Sequence, residues 1–187
     1  MFARTINEKL LIRLSIPQFA DQIFAVTDRN RDFLRKWLPW LDRTTAASNT
    51  RDFLKQQLER FAKGDALNVT VFYEGRVAGI AGFHTVDLAN SIGHIGYWLG
   101  EEFNGKGIMT AVVRDLIHIG KDYYSLQKIE IRCATNNSRS RAIPERLGFT
   151  HEGTLRRAEK VGDAWLDLEV YGLLIDTNTG QNSGPRG

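Results

Sequence analysis

Three groups of residues in this 187-residue chain have types and spacing that could do chemistry. The first is Asn104-Gly105-Lys106-Gly107-Ile108-Met109-Thr110, which follows the apolar Tyr97-Trp98-Leu99 and leads into Met109, Val112, Val113 and Leu116 at helical spacing. A strand, a glycine loop and a helix start in that order can hold an anion. Glycines let backbone N–H groups approach a ligand without Cβ interference, and the first helical turn adds unpaired N–H groups and partial positive charge. A phosphate or pyrophosphate suits it; an ordinary surface turn has the same composition. The second group is Asn137 and Ser140, where a short helix starts. A serine there is either a proton donor or a helix cap. The third is His94, with His84 as its alternative: an imidazole of pKa near 6.5 can take a proton from an amine at neutral pH. Either histidine can equally be structural, and His118 and His151 read as structural. Cys133 reads as a small buried apolar group rather than a nucleophile.

Two nucleotide motifs fail on the glycine loop. Gly100-x-x-x-x-Gly105-Lys106 opens like a P-loop, but Gly107 stands where a Ser or Thr hydroxyl should hold Mg²⁺. Gly105-x-Gly107 opens like a dinucleotide fingerprint, but Thr110 stands where the third small residue belongs, and the segment lies mid-chain after an antiparallel stretch.

The elements that must position these groups are legible. Leu10–Leu14 reads as a first strand, and Phe19, Ile23, Val26, Phe33 and Trp37 as one helix that starts after Pro17 and is stopped by Pro39. A second helix follows Ser48/Asn49 and stops at Gly64. Leu67 to Tyr73, a Glu74-Gly75 turn and Arg76 to His84 form a hairpin, and Ser91 to Leu99 another strand. A helix over 108–124, a strand from Lys128, a helix from Ser138 to Leu147 and two strands around Gly162-Asp163 complete the order βααβββαβαββ. This is an α/β (α+β) arrangement: a mixed sheet with helices on both faces. Residues 1–176 form one domain, and 177–187, without a large apolar residue, a flexible tail.

Composition narrows the classes. The excess of 25 Lys+Arg over 22 Asp+Glu leaves +3, too little to imply a nucleic-acid partner. One cysteine excludes an internal disulfide and a multi-cysteine zinc site. No apolar run approaches the roughly 20 residues of a membrane span, and Met1-Phe2-Ala3-Arg4-Thr5 has no signal-peptide core. A cytoplasmic protein with no membrane association is expected.

The chain resembles the GNAT superfamily of N-acetyltransferases, in its RimJ/RimL branch. Asn104-x-x-Gly107-x-Met109 falls on motif A, departing from the superfamily pattern at both ends. Gly-Lys-Gly-Ile-Met-Thr and the preceding Ile95-Gly96-Tyr97-Trp98-Leu99 are typical of the branch. Asn137-x-x-Ser140 with Leu147-Gly148-Phe149 resembles motif B, and Trp37-Leu38-Pro39-Trp40 is a further branch feature. The resemblance covers about residues 8 to 176. It implies the GNAT-like acyl-CoA N-acyltransferase fold, with a mostly antiparallel central sheet.

It also implies acetyl-CoA as co-substrate and no metal. The N–H groups of Asn104, Gly105, Lys106, Gly107, Ile108, Met109 and Thr110 would hold the pyrophosphate, Trp98 and Leu99 the pantetheine arm, and Asn137 the arm through its side chain. A backbone N–H near Leu99 would polarise the thioester carbonyl. The tyrosine that many relatives use as acid is replaced by Pro144; RimL-like members use a serine at the position of Ser140, so the resemblance implies Ser140 as the acid, with thiolate departure without a dedicated acid as the alternative. His94 occupies the position of a glutamate base. The acceptor is a primary amine, foremost the N-terminal α-amine of a ribosomal protein. An α-amine of pKa about 7.7–8.0 is usefully neutral near pH 7.5, whereas a lysine at about 10.4 is neutral only to the order of 0.1%. A small amine acceptor (a polyamine, an aminoglycoside-like compound or an amino acid) and a non-catalytic acetyl-CoA-binding module are the alternatives. Trp37, Trp40, Arg43, Arg156, Arg157 and Trp165 would line the acceptor groove. A homodimer is expected for the branch.

Overall fold

A computed structural model describes residues 3–175; the expected tail at 177–187 lies outside the described residues. Eight strands form one sheet in the order β1-β2-β3-β4-β5-β6-β8-β7. They are β1 (Ala3–Asn7), β2 (Leu10–Leu14), β3 (Leu67–Tyr73), β4 (Arg76–Asp87), β5 (Ile92–Leu99), β6 (Lys128–Ala134), β7 (Thr150–Val161) and β8 (Ala164–Leu174). Every pairing is antiparallel except β5 with β6.

The parallel pair is the architectural event. It runs from Ile92↔Lys128 to Ile95↔Ile131 and stops. Beyond that point β5 continues to Leu99 paired only with β4, and β6 continues to Ala134 paired only with β8. The sheet splits there, and the two strands that part expose main-chain groups to whatever occupies the gap.

Helices cover both faces. α4 (Ile108–Asp122) buries Val112, Val113 and Leu116 against Phe83, Ile95, Ile129 and Ile131. On the other face α1 (Ala20–Arg29) and α3 (Ala47–Ala62) bury Ile23, Val26 and Leu54 with Phe72, Val77 and Ile80. Truncation of the fully buried Leu116 to Ala costs roughly 2–5 kcal/mol by lost transfer and cavity formation. At the start of α3, Asn49 reaches back to accept the Ala46 N–H at 3.0 Å. Gly64 ends the helix at φ +80, a geometry that excludes most other residues.

Three departures from the sequence reading have physical reasons. β1 precedes the strand read as first: it is an exposed edge strand without apolar alternation, anchored by Arg4 to Asp115 of α4 through two 2.8 Å bonds. The first helix is broken at Asn30, where the chain turns into the short α2 (Arg31–Leu34), and it ends before Pro39. The strand expected to stop at His84 runs to Asp87 across a bulge between Phe83 and Thr85. Fold class and remaining elements agree, the helix at Ser138 being α5 (Ser138–Arg146).

Candidate active site in the split of the sheet

A cavity of about 360 Å³ opens where β5 and β6 part. Its floor is Tyr97, Trp98 and Leu99; Asn104 and Met109 bring the loop and first turn of α4; Asn137, Ser140 and Ile143 bring α5; Phe33, Leu34 and Trp37 form the far wall. Six residues from the sequence reading therefore converge on one space: Trp98, Leu99, Asn104, Met109, Asn137 and Ser140. Trp37 joins them from the expected groove.

Gly105 and Gly107 have φ of +76 and +71, and a Cβ at either would meet nothing within 4 Å. Gly107 is the N-terminal boundary of α4, and no side chain caps that end, which leaves the first-turn N–H groups without a side-chain partner. The Asn104 Nδ2 is shielded from solvent and has no hydrogen-bond partner. An unpaired buried donor costs about 1–3 kcal/mol, which a phosphate oxygen would offset. These residues fit a phosphate-bearing ligand.

Of the loop residues expected to bind the cofactor only Asn104 and Met109 line the cavity; Gly105 and Gly107 do not. Ile108 is 3% exposed and packs into the core. Lys106 leans its ammonium over the Tyr73 and Phe103 rings at 5.4 and 5.7 Å. Thr110 lies on the first turn of α4, outside the wall. The loop stands against α1: Asn30, at the α1–α2 junction, accepts the Glu101 N–H at 2.8 Å and donates to the Val26 carbonyl at 2.9 Å.

On α5, Asn137 accepts the Ser140 N–H at 3.2 Å. The Ser140 hydroxyl donates to the Tyr97 phenol at 3.3 Å, and the phenol donates to the Ser140 carbonyl at 3.0 Å. Burial pushes the Tyr97 phenol well above the usual tyrosine range. Cys133, beside Ser140, is buried, and burial pushes its thiol up to about 11. It is a neutral thiol at physiological pH, consistent with an apolar role.

His94 lies outside the cavity wall, four residues along β5 from Trp98, about 13 Å at ~3.3 Å per residue. Its Nδ1 is 3.3 Å from the carboxylate of Glu130, which stands opposite it on β6. Glu130 is 9% exposed and also accepts from Arg132 at 2.6 Å. His84 sits 5.9 Å from the His94 ring; burial, then the charge of His94, lowers its pKa. His118 and His151 are both exposed on the surface, and His151 pairs with Glu169 at 2.5 Å. Trp40 packs against Trp98 at 6.2 Å, whereas Arg43, Arg156, Arg157 and Trp165 do not line the cavity.

Sequence reasoning missed Tyr97 and Glu130. Tyr97 sat inside a motif read for its backbone. Glu130 alternates with Ile129 and Ile131 on a half-buried strand, and that alternation does not reveal that His94 of β5 stands opposite it.

Comparison with known proteins gives a consistent picture. A family model described as an acetyltransferase (GNAT) domain matches residues 9–150. The putative ribosomal N-acetyltransferase YdaF of Bacillus subtilis (strain 168) is 34% identical over 93% of this chain and 96% of its own. Two solved structures share the fold. The ribosomal alpha-N-protein acetyltransferase RimL in complex with coenzyme A has a TM-score of 0.89 at 26% identity, covering 94% of this chain and 99% of that one. The self immunity acetyltransferase MccE in complex with acetyl-CoA and AMP has a TM-score of 0.87 at 29% identity, over 91% and 94%.

Proposed function

The chain belongs to the acetyltransferase (GNAT) family, and on that premise we propose that it moves an acetyl group from acetyl-CoA to the N-terminal α-amine of a ribosomal protein in the cytoplasm. The observation that carries this reading is the cavity in the split between β5 and β6, with an uncapped helix N-terminus at one end and Asn137 and Ser140 at the other.

Each residue has a task in it. The N–H groups from Asn104 to Thr110 hold the pyrophosphate, helped by the unpaired Asn104 Nδ2. Main-chain groups of Trp98 and Leu99, freed where β5 leaves β6, pair with the pantetheine amides, and Asn137 adds a side-chain contact. Acetyl-CoA supplies an activated thioester carbonyl. An N–H near Leu99 polarises that carbonyl. Ser140 gives its proton to the sulfur as the C–S bond breaks. The attacking amine carries one proton in excess and the departing sulfur needs one; the amine proton, taken up by the base, returns through water to Ser140, so both residues end the cycle unchanged. His94 takes the amine proton through water, since it stands back from the cavity, and its pairing with Glu130 holds the ring on the sheet. Metal ligation is no part of this scheme.

A second reading, a small-amine acceptor, draws support from the likeness to MccE, a self immunity acetyltransferase whose solved structure is a complex with acetyl-CoA and the small molecule AMP. One experiment separates the two. Calorimetric titration with acetyl-CoA, against ATP and NADH, is expected to give selective micromolar-range binding that Gly107→Glu abolishes. Release of free CoA is then followed with peptides bearing ribosomal-protein N-termini and with polyamines and amino acids. Turnover with the peptides alone supports the first reading, and turnover with the small amines alone replaces it. Absence of acetyl-CoA binding overturns both.

A further inference from the structure

α5 contains a proline at its seventh residue, Pro144, which is buried. A helical carbonyl normally accepts the N–H four residues later, and proline has none to give. The carbonyl that loses its partner is that of Ser140. Its replacement comes from another strand: the Tyr97 phenol donates to that carbonyl at 3.0 Å, and its oxygen accepts the hydroxyl of the same serine at 3.3 Å. Phenol and serine therefore close a two-bond ring across the split in the sheet.

We propose that Tyr97 is the positioning residue for the proton donor Ser140, recruited to it by the carbonyl that Pro144 leaves unpaired. The proposal rests on the reading of Ser140 given above and extends it to two residues that reading leaves without a task. The carbonyl bond fixes the phenol oxygen, and the phenol oxygen then holds the Ser140 hydroxyl in place; the serine proton rests on the phenol in the free protein and turns to the sulfur when the thioester is seated. At 3.3 Å the second bond is weak for two hydroxyls, so the serine proton is oriented without being tied down. Burial of Tyr97 keeps the phenol protonated, which the ring requires. Asn137 holds the Ser140 main chain from the other side. A serine on α5 is thus held in place by a phenol on β5, at a carbonyl that the proline of α5 leaves free for it.

The test is a double-mutant cycle on kcat, measured as CoA release with the best acceptor from the amine panel. Acetyl-CoA affinity from calorimetry and Tm are recorded for every variant. Tyr97→Phe keeps the ring and removes the hydroxyl. We expect its kcat to fall about tenfold, a part of the 10²–10⁴ typical of a positioned acid, with acetyl-CoA affinity within about twofold of the parent. In a Ser140→Ala background the same change should have no further effect on kcat. Pro144→Ala restores an N–H to the Ser140 carbonyl, and in that background Tyr97→Phe should cost less than it does in the parent. It also keeps the proposal testable if Tyr97→Phe folds poorly, since by competing for the carbonyl it should itself lower kcat. Equal losses from Tyr97→Phe with and without Ser140, or unchanged kcat in both Tyr97→Phe and Pro144→Ala, overturn the proposal alone. Full activity in Ser140→Ala removes the donor itself, and absence of turnover with every amine removes the enzymatic reading beneath it.

Discussion

Glu159 and Asn104 are residues whose environments oppose their chemistry, and each makes a prediction with a definite sign. Burial holds the half-buried Glu159 carboxyl above its usual range. A carboxyl whose pKa is higher folded than unfolded binds protons better in the folded state. Its cost to stability is absent at acid pH, develops as pH rises from the unfolded value through the raised one, and persists above. Glu159→Gln should therefore raise Tm at neutral pH and lose that advantage below about pH 4, where a glutamate is protonated in both states. A melting series across pH checks this, and an unchanged Tm at pH 7 would refute it. Asn104 carries a shielded Nδ2 without a partner. Asn104→Ala removes a donor that costs about 1–3 kcal/mol when left unpaired, so the ligand-free protein should melt no lower than the parent. The same change deletes a hydrogen bond to a charged phosphate, worth roughly 1.5–3 kcal/mol, and should weaken acetyl-CoA binding about tenfold or more. Opposite signs in the two measurements would mark a residue kept for binding. Loss of stability with unchanged affinity would mark a structural one.

At the scale of elements, the site depends on the distance between the α1–α2 junction and the loop before α4, and Asn30 sets it. Its side chain accepts the Glu101 N–H and donates to the Val26 carbonyl, and Arg29 beside it lies 3.5 Å from Glu102. Asn30→Ala leaves both main-chain groups unpaired and should lower Tm by several degrees, at about 2–4 °C per kcal/mol for a chain of this size. Asn30→Asp keeps the acceptor for Glu101 and should recover part of the loss. Equal melting temperatures for the two variants would disprove the assignment. Asn30 also shows what the sequence could and could not reveal. Ile23, Val26, Phe33 and Trp37 keep an apolar phase that reads as one helix, and nothing in that phase announces a break made by a side chain answering a loop seventy residues away. The glycine loop, α4 and the closing hairpin were legible because their signals are local: φ-positive glycines, helical spacing, a Gly-Asp turn. Trp98, Leu99, Asn104, Met109, Asn137 and Ser140 were legible as a set only through motif resemblance. Tyr97 and Glu130 were not, because Ser140 on α5 and His94 on β5, which they meet, lie far from them in sequence. Edge strand β1, with Ile6 its one large apolar residue, offered no alternation to read.

For the whole molecule the decisive fact is how little main-chain pairing joins its two halves. β1 to β5 form one wing and β6 to β8 the other, and the ladder between them runs only from Ile92 to Ile95 against Lys128 to Ile131. Below it the wings separate, held by side chains such as Tyr97 reaching Ser140. A ligand seated in the split would contact β5 and the α4 loop on one wing and α5 on the other, and so replace pairing that the sheet gives up. Binding to the folded state alone adds RT ln(1 + [L]/Kd), about 2.7 kcal/mol at a hundredfold excess over Kd. That corresponds to a rise in Tm of about 5–11 °C at this chain length. The rise should vanish in Gly107→Glu, whose side chain and charge would stand where the pyrophosphate is proposed to sit. Hydrogen exchange gives the local signature: main-chain amides of Tyr97, Trp98 and Leu99 that do not pair with β4 should exchange quickly in the free protein and slow on addition of acetyl-CoA, while Ile129 and Ile131 in the ladder and core change little. Uniform slowing across both wings would instead indicate global stabilisation without contact in the split, and would move the binding site elsewhere.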